Sequence, residues 1–328
     1  MPDSPASDGA GDAAFRATDN RAHWPEMTYG GALSFLRRRY SRDLAGVDVA
    51  VLGVPYDSAV TNRPGTRFGP RAIRAASVLL AELKAFPFGF DLATSLSIVD
   101  YGDVMLDPHH PETVAPAIEA AAVAILASGA RLLTLGGDHF VAWPLMRAHA
   151  ARHGPLALIQ FDAHGDLWPD DPGRIDHGVM MGRAIRDGVV DAATSTQIGI
   201  RTFHDSTEGL EVLTAPWVHR YGVDATLEVV RARTGDAPVY VSFDIDALDP
   251  AYAPGTGTPV SGGLAAWQAL ELIRGLGSLN LVGMDIVEVS PPYDHAEITA
   301  IAAATLAHDW LCVIARKAGA APRAVGRL

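Results

Sequence analysis

Three short acidic segments carry residues whose types and spacing could do chemistry: Gly136-Gly137-Asp138-His139, Asp162-Ala163-His164-Gly165-Asp166 and Ser242-Phe243-Asp244-Ile245-Asp246-Ala247-Leu248-Asp249-Pro250. Each follows directly on an apolar run. Asp162, His164 and Asp166 are spaced by two, as are Asp244 and Asp246, and on extended backbone such residues share one face. Carboxylates gathered without counter-charge in a low-dielectric crevice repel one another, so they take up protons or bind cations. Two divalent ions would balance Asp162, Asp166, Asp244 and Asp246, with His139 and His164 as nitrogen ligands. Oxygen-rich ligation with two imidazoles suits Mn2+, with Co2+, Ni2+ and Zn2+ as alternatives because ligand type alone seldom fixes the metal. A two-metal centre points to hydrolysis. One such aspartate at a strand end serves equally well as a helix cap or turn former; three segments together argue for metal. Asp249, before Pro250, is read as shaping the turn after Asp246.

The elements that must position these residues are legible from periodicity. Short apolar, β-branched runs predict strands over 47–54, 97–100, 131–135, 156–161, 196–200, 239–243 and 281–287. Ala/Leu-rich stretches of helical period predict helices over 112–127, 141–152, 179–187, 225–233, 264–274 and 298–317. This alternation is the pattern of crossover units around a parallel sheet, and strands apolar throughout are expected where helices cover both faces. The predicted fold class is α/β, a single three-layer α/β/α domain with a mainly parallel sheet over 20–328. In such sheets ligands bind beyond the carboxyl ends of the strands, where each acidic segment lies. The glycines at 136 and 137 would let the backbone approach a crowded site closely.

Composition excludes other classes. A chain of 328 residues, 48% hydrophobic, can bury a large core. With 26 Lys+Arg against 38 Asp+Glu and a net charge of -12, the chain lacks the excess of cations a nucleic-acid binder needs. Residues 1–19, rich in Ala, Asp, Ser and Gly, lack the basic start and apolar core of a secretory signal and read as a disordered tail. No run sustains about 18 to 20 consecutive apolar residues, so no membrane span is expected. The lone cysteine, Cys312, fits a buried hydrophobe in a C-terminal helix and a reducing, cytoplasmic setting.

On these motifs the chain resembles the ureohydrolase family, the arginase and agmatinase group, over about residues 47–317. Stretches similar to the agmatinase branch are Arg63-Pro-Gly-Thr-Arg-Phe-Gly-Pro70, Asp176-His177-Gly178, Gln197-Ile-Gly-Ile-Arg201, Ala253-Pro-Gly-Thr-Gly-Thr-Pro259 and Val287-Glu288-Val-Ser-Pro-Pro-Tyr293. The resemblance implies that Asp162 and Asp244 bridge two ions, with His139 and Asp166 on one and His164 and Asp246 on the other. It implies attack of activated water on a guanidinium carbon, releasing urea and an amine. His177 matches the family's proton-transfer histidine, and Glu288 the carboxylate that pairs with the substrate guanidinium. The resemblance also implies a homo-oligomer, a trimer or hexamer. Arg63, Arg67 and Arg71 are expected near the site or a subunit contact, with Trp24 and Tyr29 as further contact candidates. Gly102 and Asp103 are read as a turn.

The substrate's tail is set elsewhere. Agmatinases usually carry Thr in place of Gly165 and a Thr after the last aspartate, whereas this chain reads Gly165-Asp166-Leu167-Trp168-Pro169. Leu167 and Trp168 are expected to make the tail pocket apolar, Gly165 to free space beside the metals, and Met180 and Met181 to border the tail. Agmatine is the expected small guanidino substrate, with guanidinobutyrate or another N-substituted guanidine as the runner-up. A formiminoglutamate-type hydrolase would release formamide and need more cations near the site. A non-catalytic metal-binding subunit would hold the ions without turnover.

Overall fold

A computed structural model describes residues 13–21, 28–81, 84–107, 109–171 and 173–321. Eight strands, Val49–Val54 (β1), Ile98–Asp103 (β2), Arg131–Gly136 (β3), Ala157–Phe161 (β4), Thr196–Ile200 (β5), Glu211–Thr214 (β6), Pro238–Asp244 (β7) and Asn280–Val287 (β8), form one sheet. Its order is β2-β1-β3-β8-β7-β4-β5-β6, and every neighbouring pair is parallel. The α-helices are Ala13–Arg16 (α1), Gly69–Ser77 (α2), Leu92–Ser95 (α3), Val114–Ala127 (α4), Ala142–His153 (α5), Met180–Arg186 (α6), Ala215–Thr234 (α7), Ala266–Gly275 (α8) and Ile298–Lys317 (α9).

Alternation along the strands builds the two cores. Val49 and Val51 join Leu133, Ile159, Val241 and Met284 on the face covered by α2, α7, α8 and α9. Ala50 and Leu52 join Leu132, Leu158 and Tyr240 on the face covered by α4, α5 and α6. Each strand is thus apolar on both sides, the mark of a sheet between helical layers. Helix α9 is long and apolar enough by composition to cross a membrane, but 78% of its apolar window is buried in this protein. Its Asp309 is paired with Arg274 of α8 at 2.7 Å, and Cys312 is buried there as a free thiol.

Several boundaries differ from the sequence expectation. The edge strand β6 and the helix α2 were not anticipated, and α7 begins ten residues before the predicted 225. Gly102 and Asp103 continue β2 instead of turning, and Asp103 pairs with Arg74 at 2.6 Å. Within 1–19, residues 13–19 are described, and α1 there is one helical turn whose Ala14 carbonyl accepts the Tyr40 N–H at 2.7 Å. Trp24 lies outside the described residues, and Tyr29 is exposed.

Candidate active site

Sheet order brings the acidic segments together. Strands β3, β8, β7 and β4 are contiguous, and His139, Glu288, the Asp244/Asp246 pair and the Asp162–Asp166 segment lie at or just beyond their carboxyl ends. His139 Nδ1 lies 3.1 Å from Asp162 Oδ2, 3.0 Å from Asp166 Oδ2 and 3.3 Å from Asp244 Oδ2. His164 Nδ1 lies 3.4 Å from Asp162 Oδ1 and 3.1 Å from Asp246 Oδ2. Two groups able to hold a metal result, His139-Asp162-Asp166 and Asp162-His164-Asp246, sharing Asp162. Its two oxygens face opposite ways, one toward each imidazole.

The surroundings fit cations. His139 Nδ1 is buried without a hydrogen-bond partner, although carboxylates surround it. Its other nitrogen, Nε2, lies 2.8 Å from Ser242 Oγ, and that hydroxyl donates to Asp285 at 2.8 Å. Ser242 therefore accepts the Nε2 proton, which leaves the Nδ1 lone pair for a ligand. Tyr240 also donates to Asp285, at 2.6 Å. Burial opposes a charge on His139, yet Asp162, Asp166 and Asp244 overrule it and raise its pKa well above the usual value. His164 is pushed up to about 12 against burial, by Asp246 and Asp162. Burial, then the Asp162 charge, lifts Asp166 to about 7. The cluster draws in positive charge from every side.

Local backbone explains how the residues converge. A Cβ on Gly137 would sit 1.8 Å from the Tyr56 carbonyl oxygen, so only glycine lets β3 turn His139 inward. Gln197 donates to Gln160 Oε1 and to the Gly165 carbonyl, both at 2.7 Å, and Gln160 donates to Asp162 Oδ2 at 2.7 Å. Arg201 donates to the carbonyls of Asp246 and Val260, at 2.7 and 2.6 Å, and fixes the turn after β7. Asp249 accepts N–H bonds from Ala251, Gly262 and Gly263, as its reading as a turn former expects.

Beside the cluster, Glu288 Oε1 accepts from His177 Nδ1 and from the His139 backbone N–H, both at 2.8 Å. Glu288 Oε2 is buried with no partner. Burial opposes charge on His177, but the Glu288 bond outweighs it and raises the pKa to about 9. Thr61, which the sequence reading missed, lies 2.9 Å from His177 Nε2 through its hydroxyl. It belongs to the loop that precedes the Arg63 motif. Of that motif, Arg67 pairs with Asp57, and Arg63 stacks over Tyr293 at 5.1 Å. A pocket of about 260 Å³ is lined by Thr61, Trp168, Arg174, Asp176, His177 and Thr258, together with His139, His164, Asp166 and Asp244.

The tail residues are distributed differently from expectation. Trp168 is 59% exposed and lines the pocket. Leu167, Met180 and Met181 pack instead into the core beneath α4, α5 and α6. Gly165 frees no space, because a Cβ there would meet the His204 ring at 2.5 Å. The histidine occupies what a larger residue would take.

Known proteins resemble this chain closely in sequence and fold. The Arginase family profile matches residues 47–312. The chain is 58% identical over 309 residues to an agmatinase of Chromobacterium violaceum, covering 94% of this chain and 96% of that one. The crystal structure of a hypothetical agmatinase from Burkholderia thailandensis superposes with a TM-score of 0.93 at 55% identity, covering 94% of this chain and 99% of that chain. The proclavaminate amidino hydrolase of Streptomyces clavuligerus gives 0.85 at 39% identity, over 89% of this chain and 100% of that chain. Profile, identity over almost the whole length and shared architecture agree, and the chain belongs to the arginase family, whose members hydrolyse amidino groups.

Proposed function

We propose that the protein cleaves a guanidino compound to urea and an amine at a binuclear metal centre, with agmatine giving putrescine. The carrying observation is the pair of ligand groups sharing Asp162 beside the His177–Glu288 pair. In this reading Asp162 and Asp244 would be ligands shared by the two ions, with His139 and Asp166 holding one and His164 and Asp246 the other. Manganese suits a set of four carboxylates and two imidazoles, with Ni2+ and Co2+ as alternatives. When bound, the ions make water nucleophilic near neutral pH.

The chain's own residues do the rest. Glu288 Oε2, buried and without a partner, is available to accept a guanidinium N–H. His177, held between Glu288 and Thr61, carries the proton that the leaving amine takes up. Trp168 flanks the tail, and the acidic surroundings favour a cationic one. A guanidinobutyrate reading draws on Arg174, a cation in the pocket lining, although Asp176 pairs with it at 2.6 Å. The reading includes a trimer or hexamer and a cytoplasmic setting. No membrane or nucleic-acid partner belongs to it.

The test is urea release by purified protein from agmatine, arginine, guanidinobutyrate, guanidinopropionate and guanidine, each with Mn2+, Co2+ or Ni2+. Urea and putrescine in equal amounts from agmatine are expected. No urea from any guanidine would sink the proposal, and preference for guanidinobutyrate would transfer it to the second substrate.

A further inference from the structure

We propose that Asp170 is a positioning residue for the reaction pocket: it ties the loop residues 167–171 and 173–178 to helix α6 and so holds Trp168, Arg174 and His177 at the pocket wall. The kinetic part of this inference rests on the guanidino-hydrolase reading, and the structural part stands without it.

The loop is a thin wall between two cavities. Arg174 lines the reaction pocket on one side and, on the other, a cleft of about 1080 Å³ that Asp170, Arg183 and Trp143 also line. Leu167 and Ile175 hold the two ends of that stretch to the core, but the described residues between them are exposed or half-buried, with little core packing to hold them. Directional bonds take over that task. Asp170 Oδ1 accepts from Arg183 Nη2 at 2.6 Å, and Oδ2 accepts from Arg183 Nε and Arg186 Nη2, each at 2.9 Å. Arg183 Nη2 also donates to the Arg174 carbonyl at 2.8 Å, so one guanidinium grips the loop at two places.

The grip is anchored in rigid elements. Arg183 belongs to α6, and its guanidinium stacks 4.8 Å from the ring of Trp143 in α5. Trp143 is fixed by Arg147 over its ring at 5.1 Å and by a 3.1 Å bond from its indole N–H to Asp187. The side chains of Arg183 and Asp170 are only 10% and 12% exposed. A two-pronged pair so shielded is stronger and better oriented than an exposed ion pair. The loop closes at its base through the Trp168 N–H to the Gly178 carbonyl at 3.1 Å, next to His177.

The experiment compares wild type with Asp170→Asn, which removes the charge, and Arg183→Lys, which keeps the charge but loses the fork. Read out are KM and kcat for agmatine with Mn2+, metal content per chain, and hydrogen exchange of peptides covering 167–178. Expected are a KM raised about tenfold by misplacement of the wall, metal content unchanged, and faster exchange confined to the loop. Unchanged KM and unchanged exchange in the variants would overturn the inference. So would metal loss with faster exchange across the sheet, which marks a general fold contact. If Asp170→Asn does not fold, Arg183→Lys decides by the same criteria. Should the wild type release no urea, the functional reading fails, and loop exchange alone decides the clamp.

Discussion

Asp166 and Glu288 both stand in left-handed backbone, with φ of 52° and 62°, a conformation that costs of order 1 to 3 kcal/mol in a residue with a side chain. Strain at two residues of one site accompanies side chains aimed into it. His177 shares Glu288, and that carboxylate raises its pKa to about 9 against burial. As the proton donor to the leaving amine, it loses its proton as pH rises through about 9, so kcat/KM should decline there. His177→Asn should cost roughly 10² to 10⁴ in kcat with metal content retained, as urea assay and metal analysis would show. A loss of metal instead would move His177 into the ligand set. Asp285 acts one step further out, accepting from Ser242, which in turn fixes His139. Asp285→Asn should weaken binding of one ion by about 10- to 100-fold, read by competition with a chelating dye, while the other ion stays. The metal motifs were legible from their residue types and strand-end positions, but not through a shared strand face: β4 ends at Phe161, and the chain turns after Asp244, so Asp166, at φ 52°, and Asp246 reach the site from turns. Thr61 and Asp285 were not legible, since Thr61 meets His177 across 116 residues and Asp285 meets Ser242 across 43, contacts that exist only once strands are ordered. Leu167 and Met180 misled for the converse reason: neighbours of a motif in sequence, they point into the core.

At the scale of elements, chain order and spatial order part company. Apolar runs and strand-end aspartates announced most strands, but nothing local says that β8 and β7 lie between β3 and β4, and that insertion assembles the site. Strand β6 escaped notice because four residues at a sheet edge, two of them partly buried, carry no full alternation. Helix α2 hid behind Gly69-Pro70 at its start, although proline is accepted at a first turn. The first half of α7 is set off from the second by non-helical backbone at Gly222, so only the second half read as helix. Helix α5 yields a prediction of its own. His149, buried against Tyr240 at 4.8 Å between ring centroids, donates from Nδ1 to the Leu145 carbonyl and leaves Nε2 without a partner. Burial lowers its pKa from 6.5 to about 4. The unfolded chain therefore takes up the proton first. Stability from this group is complete above about pH 6.5 and is lost as pH falls toward 4, on the order of 3 kcal/mol in all. Urea-unfolding midpoints at pH 7 and pH 5 should separate more for wild type than for His149→Leu. Equal separations would show that His149 does not couple folding to pH.

For the whole molecule, seven of the 38 acidic residues lie where charge is hardest to bear. Asp162, Asp166, Asp244, Asp246, Asp138, Asp285 and Glu288 are all buried, and they sit on or just beyond the contiguous strands β3, β8, β7 and β4. Burial and the neighbouring Glu288 push the Asp138 carboxyl well above its usual range, and burial followed by Asp246 and Asp162 does the same to Asp244. Divalent ions at this end of the sheet would therefore bind the folded chain while relieving repulsion that works against it. Binding to the folded state alone adds stability as RT ln(1 + [L]/Kd), about 2.7 kcal/mol at a hundredfold excess over Kd. For a protein of 328 residues, with an unfolding entropy of about 0.7 kcal/mol/K, that corresponds to a melting shift of roughly 4 °C. Chelation should lower the melting temperature by that amount and abolish urea release together, and Mn2+ should restore both. If metal analysis shows the ions removed while the melting temperature stays fixed, the cluster relieves its repulsion through protons alone, and the ions serve the reaction without supporting the sheet.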